Sequence, residues 1–267
     1  MTDPTAYDNA DFIPDGHSYF ARWAEAAENF RAHHPTVLQR RDRAYGAGDR
    51  QRYDLFLPEW PARGLYFFIH GGFWYLSGRE DWSHLAQGAL GNGWAVALPS
   101  YPLAPTARLS EITRSIVLAL EAAARELPGP ILIGGHSAGG HLAMRMVCPD
   151  VGLSEAVAAR IAGIQPISPL ADLTPLVMLP MNATLRIDAE EAERESPISY
   201  PEPLCNVAIE VGSAERPAFI DQSIRMADHW QKADLTISEN RHHFDILDPL
   251  CDPQSDMVKR LLKQSDD

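Results

Sequence analysis

Pro130-Ile131-Leu132-Ile133-Gly134-Gly135-His136-Ser137-Ala138-Gly139-Gly140-His141-Leu142 is an apolar run that passes through glycine into a serine and out into helix-forming residues. Pro130–Gly134 reads as a buried strand and Ala138–Val147 as a helix, so Gly135-His136-Ser137-Ala138-Gly139 is the turn between them. Such a turn holds its central residue in a strained backbone conformation. Glycine is required two positions either side, because a β-carbon there would strike neighbouring backbone. The turn lifts the Ser137 hydroxyl above the end of the sheet, and the next helix directs its N-terminus at charge developing there. Ser137 is the candidate nucleophile.

Outward from this turn, strands and helices alternate. Arg52–Leu57 has the alternation of a half-buried strand, and Gly64–Ile69 and Trp94–Leu98 are continuous apolar runs suited to strands covered on both faces. Further strands are expected at Ile161–Ser168, Val207–Val211 and Leu235–Ser238. Helices are expected at Trp82–Leu90, Ser110–Leu127 (capped by Ser110), Phe219–Lys232 and Pro253–Leu262. This alternation predicts one α/β domain over 1–267, a mostly parallel sheet with helices on both faces. Residues 1–45 read as an N-terminal helical extension, with a helix over Ser18–Phe30. Residues 169–203 are too long and polar for a plain connection; with helix around Asp188–Glu195 they suit a short cap insertion over a site.

The composition narrows the class. A 45% hydrophobic and 22% charged chain is an ordinary globule. The net charge of -13, with no clustered Lys and Arg, argues against a nucleic-acid partner. No secretory leader and no apolar stretch of membrane-spanning length is read, and Cys148, Cys205 and Cys251 have no metal-ligand spacing. The expected setting is cytoplasmic, with reduced thiols. No His-Glu-x-x-His pattern suggests zinc, so no metal or organic cofactor is expected.

Three further segments complete the candidate chemistry. His70-Gly71-Gly72-Phe73-Trp74 follows the Gly64–Ile69 strand, where glycines let the main chain expose N–H groups to an oxyanion. The hole is assigned to Gly72 and Phe73 with Ala138, and His70 to a structural role. A serine also needs a base and an orienting carboxylate, which in this type of fold follow it in the order acid, then histidine. Arg241-His242-His243-Phe244-Asp245, after the last strand, offers two adjacent bases. The loop after Val207–Val211 offers Glu215, with Asp172 as its competitor after the preceding strand; Glu210 lies within the strand itself. Trp74, Tyr75 and Tyr101 are candidate walls of a substrate pocket.

Together, His-Gly-Gly-Phe-Trp, Gly-His-Ser-Ala-Gly-Gly-His-Leu, Val-Gly-Ser-Ala-Glu-Arg-Pro-Ala-Phe and His-His-Phe-Asp-Ile resemble the arylformamidase (kynurenine formamidase) branch of the α/β-hydrolases over residues 50–250. The first 45 residues add little to that likeness. The resemblance implies the α/β-hydrolase fold and a serine esterase or amidase triad of Ser137, His243 rather than His242, and Glu215. Two positions depart from the family pattern: glutamate stands at 215 where aspartate is usual, and Phe73 replaces a tyrosine. The implied substrate is a small ester or N-formyl amide. A broad short-chain carboxylesterase and a non-catalytic binding protein of the same fold are the alternative readings.

Overall fold

Leu65–Ile69, every residue buried, runs down the middle of the molecule because five consecutive apolar side chains can be satisfied only with cover on both faces. The structure, a computed structural model describing residues 3–265, builds around it an eight-stranded sheet in the order β1-β2-β4-β3-β5-β6-β7-β8. The strands are β1 (Gln39–Ala44), β2 (Arg52–Phe56), β3 (Leu65–Ile69), β4 (Ala95–Pro99), β5 (Ile131–His136), β6 (Ile161–Ile167), β7 (Asn206–Gly212) and β8 (Asp234–Ser238). β1 and β2 are antiparallel to their neighbours, and every pairing from β4 through β8 is parallel. The helices are α1 (Ser18–His33), α2 (Gln87–Gly91), α3 (Leu109–Glu126), α4 (Ala138–Arg145), α5 (Glu155–Ala158), α6 (Asn182–Leu185), α7 (Ala189–Arg194), α8 (Pro217–His229) and α9 (Asp256–Lys263). Among the described residues no helix is long and apolar enough to cross a membrane.

The α/β architecture expected from the sequence is present, with three local differences. β1 lies within the stretch read as a helical extension. Its sequence, Gln39-Arg40-Arg41-Asp42-Arg43-Ala44, is almost wholly exposed, so it lacks the apolar alternation that marks a strand. Charged residues of this kind suit an edge strand, where they discourage pairing with other chains. The helix expected at Trp82–Leu90 is instead broken into the 3-10 turns Arg79–Asp81 and Ser83–Ala86 followed by the short α2. Finally, Ser110 does not cap α3. The cap position is Arg108, whose N–H donates to Glu111 Oε2 at 2.8 Å.

Ser110 is engaged with the 169–203 insertion. Its N–H and hydroxyl both donate to Glu191 Oε1 on α7, and Arg108 reaches Glu191 and Asp188. One turn later Glu195 Oε2 accepts from Thr113 Oγ1 at 2.7 Å and from Arg145 Nε at 3.2 Å. The Arg145 guanidinium forks onto Asp150 with its other two nitrogens, at 3.0 and 2.8 Å. The insertion is therefore clamped to α3 and α4 through buried ionic groups.

Removing one member of such a buried pair leaves an uncompensated charge. Arg145→Ala is expected to lower stability by about 3–5 kcal/mol, read as a reduced urea midpoint. A loss below about 1 kcal/mol would show that the clamp does not hold the insertion.

Candidate active site

β5 ends at His136, and Ser137 takes φ 55° and ψ -117° before α4 begins. A β-carbon at Gly135 would lie 2.1 Å from Gly139 O, and one at Gly139 would lie 2.0 Å from Ile69 O. The glycines expected either side of the serine are thus demanded by contact. Ser137 N–H donates to Ile167 O, which ties the turn to the end of β6. Ser137 is buried, only 4% exposed.

The loop after β3 turns through positive φ at Gly72 (109°), Phe73 (54°) and Trp74 (59°). Gly72 O accepts the N–H groups of Tyr75 and Leu76 and so closes the turn. Among the described residues, neither the Gly72 nor the Phe73 N–H has an acceptor in the protein. Ala138 opens α4, where an N–H has no intrahelical partner. Gly71 lies against the serine: a β-carbon there would be 3.4 Å from Ser137 Cβ.

On the other side, His243 Nδ1–H donates to Glu215 Oε2 at 2.6 Å, with both side chains buried. The second carboxylate oxygen accepts from Gly212 N–H at 2.8 Å and from Ser168 Oγ at 2.5 Å. The extra methylene of glutamate is absorbed by folding the side chain back over Gly212, whose missing β-carbon leaves room for Glu215 Cγ. Ser168 was not singled out from the sequence. Its signal is its place directly after β6, where a short hydroxyl reaches the carboxylate on the next strand's loop.

The adjacent histidines are separated by their surroundings. His242 Nδ1 accepts the backbone N–H groups of Phe244 and Asp245, both at 3.1 Å. That leaves its proton on Nε2, which donates to Tyr19 on α1 at 3.2 Å. His242 is thus consumed in shaping the loop and docking α1. His243 points at Glu215, and Asp172 is committed elsewhere, to Thr174 and Arg225. Glu210 is fully buried against Arg260, and its burial raises its pKa.

His136 joins the two halves. Its Nε2–H donates to the carbonyl of His243 at 2.8 Å, and the two rings lie 4.5 Å apart. The structure therefore brings His243 and Glu215 into direct contact and holds Ser137 beside them through its neighbour. Among the described residues no hydrogen bond joins Ser137 Oγ to His243 Nε2.

Of the three aromatic residues expected to line a pocket, two are deeply buried and hydrogen-bonded within the fold. Trp74 is 1% exposed, and its Nε1–H donates to His141 Nδ1 at 3.3 Å; His141 in turn donates to Glu195 O. Tyr101 is fully buried, stacked on His70 at 4.3 Å, with its hydroxyl on His70 O. These two brace the loop from behind, because its strained turn needs both polar and apolar support. Tyr75 remains partly exposed, stacked on Phe73. The N-terminal segment, read as an extension, closes the acid side of the site. Asn9, Phe12 and Ile13 enclose a cavity of about 240 Å³ with Glu215, Arg216 and His243.

Burial depresses the basicity of several of these histidines: His70 and His84 to about 4, His141 to about 3, and His136 well below its usual range. They are neutral in the fold. The same effect pushes the Cys148 thiol up to about 12 and those of Cys205 and Cys251 to about 11, so none is a ready nucleophile.

Below pH 6.5 the unfolded chain binds protons at these histidines that the native chain refuses, so stability falls as pH drops. Each of these buried rings adds to that loss as the pH falls below 6.5. Urea midpoints should decline steeply from pH 6.5 to 4.5. A flat profile there would contradict neutral burial.

The α/β hydrolase family model matches residues 66–258. The kynurenine formamidase of Danio rerio is 28% identical over 238 residues, 83% of this chain and 80% of its own length. That of Salmo salar is 26% identical over 236 residues, 82% and 79% of the two chains. A solved structure from Silicibacter sp. TM1040, provisionally assigned as a thioesterase, is 48% identical with a TM-score of 0.94, covering 96% of this chain and 97% of that one. The chain belongs to the alpha/beta hydrolase family, and within it resembles the kynurenine formamidases.

Proposed function

We propose that the protein is a serine hydrolase that cleaves a small N-formyl amide or ester through an acyl-enzyme. The observation that carries this reading is the buried 2.6 Å contact of His243 Nδ1 with Glu215, set beside the Ser137 turn. In the first step His243 Nε2 removes the Ser137 proton as Oγ attacks the substrate carbonyl. Glu215 holds the ring and stabilises the imidazolium. The unpaired N–H groups of Gly72 and Phe73, with that of Ala138, receive the oxyanion, each worth roughly 3–4 kcal/mol in the transition state. His243 then protonates the leaving amine or alcohol, and water attacks the acyl-serine by the same route in reverse. The chemistry calls for no metal or cofactor. The insertion at 169–203 is assigned to the wall of the site, reached from the oxyanion loop through Trp74, His141 and Glu195.

The formamide reading rests on the likeness to kynurenine formamidases. Ester or thioester cleavage is the second reading, favoured by the thioesterase assignment of the 48% identical relative.

Steady-state rates on N-formylkynurenine and p-nitrophenyl acetate separate the two. A far higher kcat/KM on the formamide indicates a formamidase, and the reverse indicates an esterase. Ser137→Ala should lower either rate by several orders of magnitude with the fold intact, and retention of more than a tenth of the rate would remove Ser137 from the mechanism.

His243→Ala should be far more damaging to kcat than His242→Ala, and Glu215→Ala than Asp172→Ala. Equal losses within either pair would undo that assignment.

A further inference from the structure

α1 lies across the loop that follows β3. Trp23 packs on Trp82 with ring centroids 4.8 Å apart. Phe20 and Trp23 both rest edge-on against Phe244, the neighbour of His243, at 5.7 and 5.2 Å. Facing them is Leu76, whose N–H donates to Gly72 O at 2.8 Å and whose carbonyl and Cβ occupy the space that a β-carbon on Gly72 would need. Between these walls lies a groove of about 380 Å³ lined by Phe20, Trp23, Leu76, Ser77 and Asp81. Phe20 is 37% exposed and Leu76 44% exposed, large apolar side chains left to solvent in the free protein.

The polar groups at the end of the groove are already engaged. Ser77 Oγ donates to Asp81 Oδ2 at 2.7 Å and accepts from Trp82 Nε1 at 2.7 Å, and Gly78 N–H also donates to Asp81 Oδ2. The Asp81 carboxylate disfavours a negative charge beside it. What the groove offers a ligand is therefore apolar surface, in a volume within the ordinary range for small-molecule sites.

We propose that this groove is the subsite for an uncharged apolar group of the substrate, a phenyl ring or short alkyl chain, with Phe20 and Leu76 as its specificity-determining contacts. One wall is the chain that carries Gly72 and Phe73, and the other is seated on Phe244. A carbonyl held by the Gly72 and Phe73 N–H groups and reached by His243 has the groove at its flank. The inference rests on the serine-hydrolase reading and adds to it the source of selectivity. α1, outside the stretch that carries the family motifs, supplies half of the subsite.

The test is a pair of chain-length series. One lengthens the acyl group (p-nitrophenyl acetate, butyrate, hexanoate) and the other the leaving alcohol (ethyl, butyl, hexyl acetate). Both are run on the full chain and on Leu76→Ala, Phe20→Ala, Leu204→Ala and Ser137→Ala. Leu76→Ala and Phe20→Ala should each lower the long-to-short ratio of kcat/KM about tenfold in one of the two series, which also identifies the side of the scissile bond that occupies the groove. Leu204→Ala, a fully exposed leucine just before β7, should keep the wild-type ratio. Because Phe20 and Leu76 are partly exposed, the variants should fold, and a thermal melt checks this. An unchanged ratio in both series, with turnover still abolished in Ser137→Ala, overturns the subsite alone. Ester turnover that survives Ser137→Ala overturns the serine-hydrolase reading and the subsite with it.

Discussion

The left-handed backbone of Ser137 is the constraint around which the molecule is arranged. A residue with a β-carbon at φ 55° and ψ -117° is held there only by surroundings that leave no alternative. Here β5 is paired on both sides, to β3 and β6, and the glycines at 135 and 139 bring backbone within van der Waals limits of Gly139 and Ile69. The same tightness extends along the sheet edge. Ser137 N–H bonds to Ile167 at the end of β6, and Ser168 N–H bonds to Glu210 near the end of β7. Successive strand ends are thereby locked in step, and Ser137, Ser168 and Glu215 stand in a row along them.

Histidines perform much of the joining, each with its proton assigned by its neighbours. His136 donates to the carbonyl of His243, His243 donates to Glu215, and His141 links Trp74 to the insertion. Their burial keeps those at 136 and 141 neutral, so each ring offers one donor and one acceptor. Adjacent His242 and His243 differ because the backbone N–H groups of Phe244 and Asp245 claim the Nδ1 atom of His242, leaving only His243 free to face the carboxylate.

The fold was largely legible because its central strands are unbroken apolar runs and its key turn carries glycines that nothing else can replace. β1 was hidden by the opposite property: an exposed edge strand needs no apolar face, so its charged sequence resembles surface loop. In the candidate site, chain order pointed to Glu215 and the His242-His243 pair, and the fold brings His243 and Glu215 into contact. Residues whose roles depend on approach through space were not legible. Ser168 touches Glu215 only because β6 and β7 end side by side. Trp74 and Tyr101 read as pocket walls because aromatic residues near a glycine loop carry no mark of which side they face; here the polar partners His141 and His70 draw them inward.

Tyr19 and His242 are 223 positions apart in the chain, yet they share a hydrogen bond, while Tyr7 packs edge-on against Phe219 and accepts from Gln222 on α8. The surroundings of His243 are thus closed by segments more than 200 positions apart in the chain. Contacts of such long sequence separation carry the greatest loop-closure entropy and form late in folding. A chain that has formed its sheet has therefore not yet closed the candidate site, which is complete only when Tyr7 and Tyr19 meet Gln222 and His242.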